Sequence, residues 1–128
     1  MIARVNPNQL VILGDGFQKK SHLYIDDCVD AVFCALDAFL NGNNRVDVYN
    51  ASSLDRIDVN RIAEIVVEEM NLKDVEFVYS SMVEGGRGWR GDVKFMHLSS
   101  EKLRKYGWKP KYKSEKAIRI AARMLSKI

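Results

Sequence analysis

The chain has 128 residues, 47% of them hydrophobic, and a net charge of +3. This length suffices for a single domain over residues 1–128 and is too short for two domains of ordinary size. No apolar stretch approaches the length that spans a membrane, so we do not expect this chain to be a membrane protein. Basic residues crowd positions 102–116. We interpret them as a solvated surface, compatible with a phosphate-bearing small molecule, and expect no nucleic-acid partner.

The two cysteines predict a reducing compartment. Cys28 and Cys34 lie six residues apart on a predicted helix, where they point to different sides and do not pair easily. Neither has metal-site spacing with His22 or His97, so we expect no metal site. Free thiols in or near the core and an N-terminus that does not read as a signal peptide both favour a cytoplasmic location.

The first part of the chain alternates short apolar runs with amphipathic stretches. The predicted elements are a helix end at 1–5, strands at 10–13, 22–25 and 46–50, and helices at 26–40 and 58–70. Asp15-Gly16 is a strong turn dipeptide because Gly16 tolerates positive φ. Asp26 and Asp27 are expected to cap the first helix, which ends near Asn41.

The second part predicts further short elements. They are a strand at 75–79, a glycine-rich loop at 84–92, an extended stretch at 95–98, a helix capped by Ser99 or Ser100 and closed by Gly107, and a last helix capped by Ser114. The buried face of that last helix is assigned to Ala117, Ile118, Ala121, Ala122 and Leu125. Short strands with about four amphipathic helices predict an α/β (α+β) architecture.

A segment near the N-terminus resembles a motif of the extended short-chain dehydrogenase/reductase family, the NAD-dependent nucleotide-sugar epimerases and dehydratases. The matching residues are Gly14, Gly16, Gln18, Lys20, Ser21, Tyr24, Ile25 and Asp27. Lys20 stands where arginine is usual and His22 where an aromatic residue is usual. Three later pieces follow in the family's order: residues 49–52, residues 88–93, which resemble its Arg-x-Gly-Asp element, and residues 98–110. The resemblance covers nearly the whole chain.

The resemblance also implies what to expect of activity. Family members hold NAD with a glycine-rich loop between a strand and a helix, and they use a Tyr-x-x-x-Lys pair as the catalytic acid/base. Both elements precede the part of the family that this chain resembles. We therefore expect a C-terminal substrate-binding portion without a complete Rossmann sheet. Alone, it should neither catalyse nor bind NAD, and we assign it no catalytic and no cofactor-binding residues.

Two literal motif matches are interpreted as coincidences. Gly85, Gly88 and Gly91 have a phosphate-loop spacing, but the residues after them lack the pattern of a helix whose N-terminus receives a phosphate. Tyr112 and Lys116 have the Tyr-x-x-x-Lys spacing. The family's catalytic pair precedes the segment that begins at Gly14, however, whereas these two residues follow it. Neither match changes the expectation of an inactive chain.

Three residues are the candidate substrate-binding residues. A guanidinium fork suits phosphate oxygens, and a carboxylate suits a ribose diol. The resemblance implies that Arg90 binds the phosphate, Asp92 the ribose and Lys20 the phosphate as a second cation. The alternatives are a surface Arg–Asp pair and an exposed lysine. Trp89 either shields the nucleotide or packs against Trp108, and the sequence leaves both open.

Two functions follow from this interpretation. The first is binding of a nucleotide-diphosphate sugar, a UDP- or dTDP-sugar, within an NAD-dependent epimerase or dehydratase. The partner would then be a separate cofactor-domain chain or a second copy of this chain. The alternative is a non-enzymatic interaction or oligomerisation module, whose apolar surface contacts another chain.

Overall fold

Five strands and four helices make up the part of the chain that the computed structural model describes, residues 8–80 and 83–127. In chain order they are β1 (Gln9–Leu13), β2 (Lys19–Lys20), α1 (Ile25–Leu40), β3 (Ile57–Asp58), α2 (Val59–Glu69), β4 (Glu76–Ser80), β5 (Phe95–Met96), α3 (Glu101–Arg104) and α4 (Ser114–Leu125). The predicted α/β class with short strands and four helices is confirmed. The helix end predicted at 1–5 lies outside the described residues.

The strands form two small sheets within these ranges. β1 and β4 pair in parallel, with Gln9 opposite Glu76 and Leu13 opposite Ser80. In the other sheet β2 is central, antiparallel to β3 and parallel to β5. A short turn, residues 14–18, joins the end of β1 to the start of β2 and so connects the two sheets.

The helix boundaries follow their sequence signals. The Asp58 carboxylate accepts a hydrogen bond from Arg61 N at 2.9 Å, which confirms it as the cap of α2. Helix α1 ends at Leu40, with Asn41 as its C-cap. Gly107 has a φ of +92°, and its N–H donates to Arg104 O just beyond α3.

The strand predicted at 22–25 is wrong. Ile25 already begins α1, and pairing occurs earlier, at Lys19 and Lys20, where β3 and β5 supply neighbouring backbone. The backbone of His22 instead donates to Ser114 Oγ at 3.0 Å. Despite their β-like composition, residues 22–24 therefore belong to the connection between β2 and α1.

The capping role expected of Asp26 and Asp27 is also wrong. Tyr24 is the N-cap of α1 and makes no side-chain capping bond. Asp27 is 1% exposed, and its two carboxylate oxygens accept from Lys111 N at 3.1 Å and Tyr112 N at 3.2 Å. Asp27 thus joins the start of α1 to the segment that precedes α4.

No strand forms at 46–50, so that prediction is wrong too. Val46 and Val48 are exposed, and no described strand lies beside them. The carboxylate of Asp47 accepts from Val48 N and pairs with the Lys102 ammonium. Alternation alone does not make a strand without a neighbouring strand to pair with.

The last helix differs from expectation at both ends. Lys113 is its N-cap, and Ser114, expected there, is its first residue. The Asp55 carboxylate supplies the acceptor for Ser114 N at 2.9 Å. Ala117 and Ala122 are buried as predicted, whereas Leu125, the last residue of α4, is exposed.

The main hydrophobic cluster lies between α1 and the segment around α3. Ala31, Leu103 and Trp108 are its buried members, and Cys34 packs against them. Cys34 is half-buried beside this cluster, as expected of a thiol in or near the core, but Cys28 is exposed, so the expectation is wrong for Cys28. No helix in residues 8–80 and 83–127 combines the length and apolar character needed to cross a membrane.

Candidate functional site

The turn that follows β1, residues 14–18, contacts the glycine-rich loop, residues 84–92. Asp15 N donates to Gly86 O at 3.0 Å, and the Lys94 ammonium bonds both Asp15 Oδ2 at 2.5 Å and Gly85 O at 2.8 Å. Gly14 has a φ of +89°, and a Cβ there would lie 2.6 Å from Gly86 O and 2.9 Å from Gly88 N. The turn after β1 therefore positions the glycine-rich loop by close backbone contact.

A groove of about 380 Å³ lies beside this contact. One side is apolar and is formed by β1 and α2, with Leu10, Ile12, Val59, Ile62, Ala63 and Val66. Its polar residues are Gln18, Lys20 and Asp92, joined by Trp89. The groove therefore combines an apolar wall, a cation and an indole, which suits a ligand that is partly flat and apolar and partly anionic.

Lys20 and Asp92 form an ion pair at the groove. Lys20 Nζ lies 2.6 Å from Asp92 Oδ1, and the Asp92 side chain is 1% exposed. Asp92 Oδ2 also accepts from Gly88 N at 3.2 Å and lies 3.5 Å from Gln18 Nε2. The Lys20 hydrogen bond is the main cause that lowers the pKa of Asp92, and burial opposes it. In this arrangement the carboxylate holds Lys20, and both of its oxygens are engaged.

Trp89 and Trp108 lie in different surroundings, which answers a question that the sequence leaves open. Trp108 is in the core, and its indole N–H donates to Asp27 O at 3.2 Å. Trp89 is 54% exposed, and Lys20 Nζ lies 5.2 Å from its ring centroid. The two tryptophans therefore do not pack together, and Trp89 belongs to the groove.

Gln18 is a groove residue whose position the sequence alone did not predict. Its amide nitrogen donates to Leu13 O at 2.9 Å and so holds the backbone of the turn. Leu13 O and the Asp92 carboxylate are both acceptors, so the amide must direct its NH₂ group toward them. Within the described ranges the buried Oε1 then has no hydrogen-bond partner.

Arg90 differs from Lys20 in its surroundings. It is exposed and does not line the groove, although Trp89 and Asp92 beside it do. The predicted phosphate role of Arg90 stays a prediction, as does the ribose role of Asp92. Lys20 and Asp92 contact each other at the groove, whereas Arg90 lies on the loop outside the groove lining.

A larger cavity, of about 620 Å³, lies along α1 and is lined by Asp30, Asp37, Tyr106 and Trp108 among others. None of the three predicted site residues lines it. Its two carboxylates disfavour an anionic ligand, so it does not compete as a phosphate site. No group of three or more His, Cys, Asp or Glu side chains in the described residues is placed to hold a metal ion.

Comparison with known proteins gives a consistent picture. No family model matches the chain. GDP-mannose 3,5-epimerase from Arabidopsis thaliana is 28% identical over 120 residues, which are 92% of this chain and 28% of that protein. A crystal structure of UDP-galactose 4-epimerase is 34% identical, with a TM-score of 0.81 over 95% of this chain and 36% of that one. The chain belongs to the extended short-chain dehydrogenase/reductase family of nucleotide-sugar epimerases and dehydratases.

The fold extends to other branches of this family. The structure of dTDP-glucose 4,6-dehydratase from Bacillus anthracis in complex with NAD is 21% identical, with a TM-score of 0.69 over 94% of this chain and 35% of that one. This chain therefore spans about a third of the length of these solved structures, and less of the curated relative. Within it, the family's Arg-x-Gly-Asp element departs by one position, because Arg90 directly precedes Gly91 and Trp89 stands at the arginine position.

Proposed function

We propose that this chain supplies the nucleotide-diphosphate-sugar-binding part of an NAD-dependent sugar epimerase or dehydratase. The observation that carries the proposal is the Lys20 ammonium held at an apolar groove by the buried Asp92 carboxylate. An ammonium group has three N–H donors, and Asp92 Oδ1 takes one of them. Residues 8–80 and 83–127 show no hydrogen bond from the others, which can therefore contact phosphate oxygens, while the apolar wall accommodates the less polar part of the ligand.

The names of the relatives support the substrate class. They act on GDP-mannose, UDP-galactose and dTDP-glucose, which share a diphosphate between a nucleoside and a hexose. Within this chain we propose Lys20 and Arg90 as the cations for that diphosphate. We propose that Asp92 positions Lys20, with contact to the ribose as its second possible role. Relatives of both reaction types leave epimerase and dehydratase as equal options.

NAD does not fit the residues present here. Gly85, Gly88 and Gly91 lie in a loop that leads into β5, and the next helix, α3, begins only at Glu101. The loop therefore does not lead directly into a helix whose N-terminus would receive a pyrophosphate. Tyr112 packs edge-on against Tyr24 and does not line the groove. The proposal concerns substrate binding, and we assign no step of hydride or proton transfer to this chain.

We expect UDP to bind with a dissociation constant around a millimolar, about 4 kcal/mol, because the groove makes few contacts. Lys20→Ala should weaken UDP about fivefold and leave uridine unchanged, since the ammonium addresses phosphate. Arg90→Ala should likewise weaken UDP more than uridine. NMR titrations measure both. The exposed neighbour Lys19→Ala is the matched control and should behave as wild type.

Three results would count against these assignments. Equal losses of UDP and uridine in Lys20→Ala or Arg90→Ala would contradict the phosphate role of that cation. A loss in Lys19→Ala equal to that in Lys20→Ala would reduce the effect to general surface charge. Asp92→Asn separates the two roles of Asp92, because loss of the charge that positions Lys20 weakens UDP more than uridine, whereas loss of a ribose contact weakens UDP and uridine equally. We expect the former.

The exposed face of α1 favours a second candidate function, an interaction module. Val32, Phe33 and Leu40 are 62%, 63% and 68% exposed on a single helix, and Val29 and Leu36 continue the same face. An apolar surface of this kind is typical of a contact with another chain. The candidate partners are a second copy of this chain and a separate cofactor-domain chain.

We expect the purified chain to self-associate through α1, because association removes these side chains from water. Sedimentation at high micromolar concentration should show dimers or larger species, and Phe33→Ser should shift the distribution toward monomer. Leu125→Ser, which removes an exposed leucine in the last turn of α4, is the control and should leave the distribution unchanged. A clean monomer in wild type would refute the prediction.

A further inference from the structure

Trp89 is an exposed indole on a fixed backbone. The backbone on both sides of it is bonded to Asp92: Gly88 N donates to Asp92 Oδ2 at 3.2 Å, and Asp92 N donates to Trp89 O at 3.1 Å. Gly88 is buried, and a Cβ there would lie 3.1 Å from Leu13. At 54% exposed, the large aromatic side chain packs little of its surface against the described residues, although its backbone is held.

The position of the ring indicates its use. It lines the groove together with Lys20, whose ammonium lies 5.2 Å from the ring centroid. A cation at this distance from an aromatic face is attracted to it. A ligand whose phosphate binds Lys20 would therefore bring its neighbouring chemical group against the indole.

We propose that Trp89 is the stacking platform for the nucleobase of the bound nucleotide. The proposal rests on the proposed function, and it adds a specific residue and a specific part of the ligand. It assigns the base to the indole, and it assigns to Asp92 the further task of holding the loop that carries the indole. Trp89 stands where the family's Arg-x-Gly-Asp element has arginine, so the assignment does not follow from the resemblance.

The chemistry of the groove favours a base over a hexose as the stacked group. The wall that faces the ligand is aliphatic, formed by residues such as Ile62, Ala63 and Val66. Hexose hydroxyl groups pressed against it would lose hydrogen bonds to water without replacement. A base offers two flat faces that stack on an aromatic ring and bury apolar area. Its polar edge stays free to reach water or the polar end of the groove.

The test compares three ligands on three proteins by NMR. UDP carries base and phosphate, uridine the base alone, and glucose 1-phosphate a hexose and phosphate without a base. In wild type, UDP should shift the uracil H5 and H6 signals upfield, as stacking on an aromatic ring requires. Trp89→Ala should weaken UDP roughly fivefold or more and abolish the upfield shift, while glucose 1-phosphate is unaffected. Trp89→Phe should retain part of both effects, because it keeps an aromatic face.

The indole N–H signals identify the residue, since the chain has two tryptophans. The signal lost in Trp89→Phe should be the one that moves with UDP in wild type, and the signal of the buried Trp108 should stay. The stacking assignment is overturned if UDP binds Trp89→Ala as tightly as wild type while still depending on Lys20, a result that leaves the proposed function intact. Equal losses of UDP and glucose 1-phosphate in Trp89→Ala would overturn the choice of base. No UDP binding by wild type would refute the proposed function and this inference together.

Discussion

Asp27→Ala should lower the free energy of unfolding by about 3 kcal/mol, because it removes a buried carboxylate that two backbone donors bind and leaves those donors without this acceptor. Those donors are the N–H groups of Lys111 and Tyr112, which the two carboxylate oxygens bind at 3.1 and 3.2 Å. The side chain is 1% exposed, so water does not replace the lost bonds. For a domain of this size the loss corresponds to a fall of about 10 °C in Tm. Urea and thermal unfolding followed by circular dichroism measure it.

Asp26→Ala is the matched control. Asp26 lies in the same first turn of α1 and carries the same charge, but it is exposed. Its interaction with the helix dipole is worth about 0.5 kcal/mol, so its replacement should change little. Similar losses in the two variants would show that charge at the helix start, rather than the bonds to residues 111 and 112, is what stabilises the fold.

Elements with a helical period were predictable because a helix satisfies its own backbone. The apolar stripe of α2 and its cap Asp58 required no information from the rest of the chain. The strand at 10–13 was correct and forms because β4 supplies its partner. The segments at 22–25 and 46–50 have similar composition but lack such a partner in the described residues. Strand formation depends on neighbours distant in sequence, and a local pattern does not contain them.

The sequence selected two residues that meet at the groove, Lys20 and Asp92, but it did not predict their geometry. The resemblance selected Lys20, Arg90 and Asp92, but it described them as three separate ligand contacts. Lys20 and Asp92 are 72 positions apart, and only the fold makes them an ion pair. The role of Asp27 was missed for the same reason, since its partners lie more than 80 residues away. The sequence alone could not assign a role to Trp89, because its contact with Lys20 forms only where the fold brings β2 and the glycine-rich loop together.

Asp92→Asn should lower the free energy of unfolding at neutral pH by about 2 kcal/mol, with the loss confined to pH values at which Asp92 is ionised. The amide keeps the shape of the side chain but not its charge, so the bonds from Lys20 and Gly88 weaken. The loop that carries Trp89 depends on this carboxylate. A partial loosening of the loop should therefore accompany the loss of stability.

The sign of the pH dependence follows from the lowered pKa. The hydrogen bond from Lys20 is the main cause that brings the pKa of Asp92 below its ordinary value of 3.8 in the folded chain. A carboxyl group with a lowered folded pKa binds its proton more readily in the unfolded chain, so its stabilisation is complete above the ordinary value. It is lost as the pH falls below 3.8 and through the folded pKa. Hydrogen bonds from Arg123 and Arg119 also lower the pKa of Glu69, to about 2, so the total acid response contains several groups.

The difference between wild type and Asp92→Asn isolates the contribution of Asp92 from those other groups. Urea unfolding at a series of pH values should show a constant difference from pH 7 to about pH 5 and a decreasing one below pH 4. Asp30→Asn is the control, since Asp30 pairs with Lys111 at 2.6 Å on the surface, where an ion pair contributes little. It should show a small difference at every pH. A difference for Asp92→Asn that stays constant down to pH 2 would mean that the amide disturbs packing, and that the charge on Asp92 does not hold Lys20 and the loop in place.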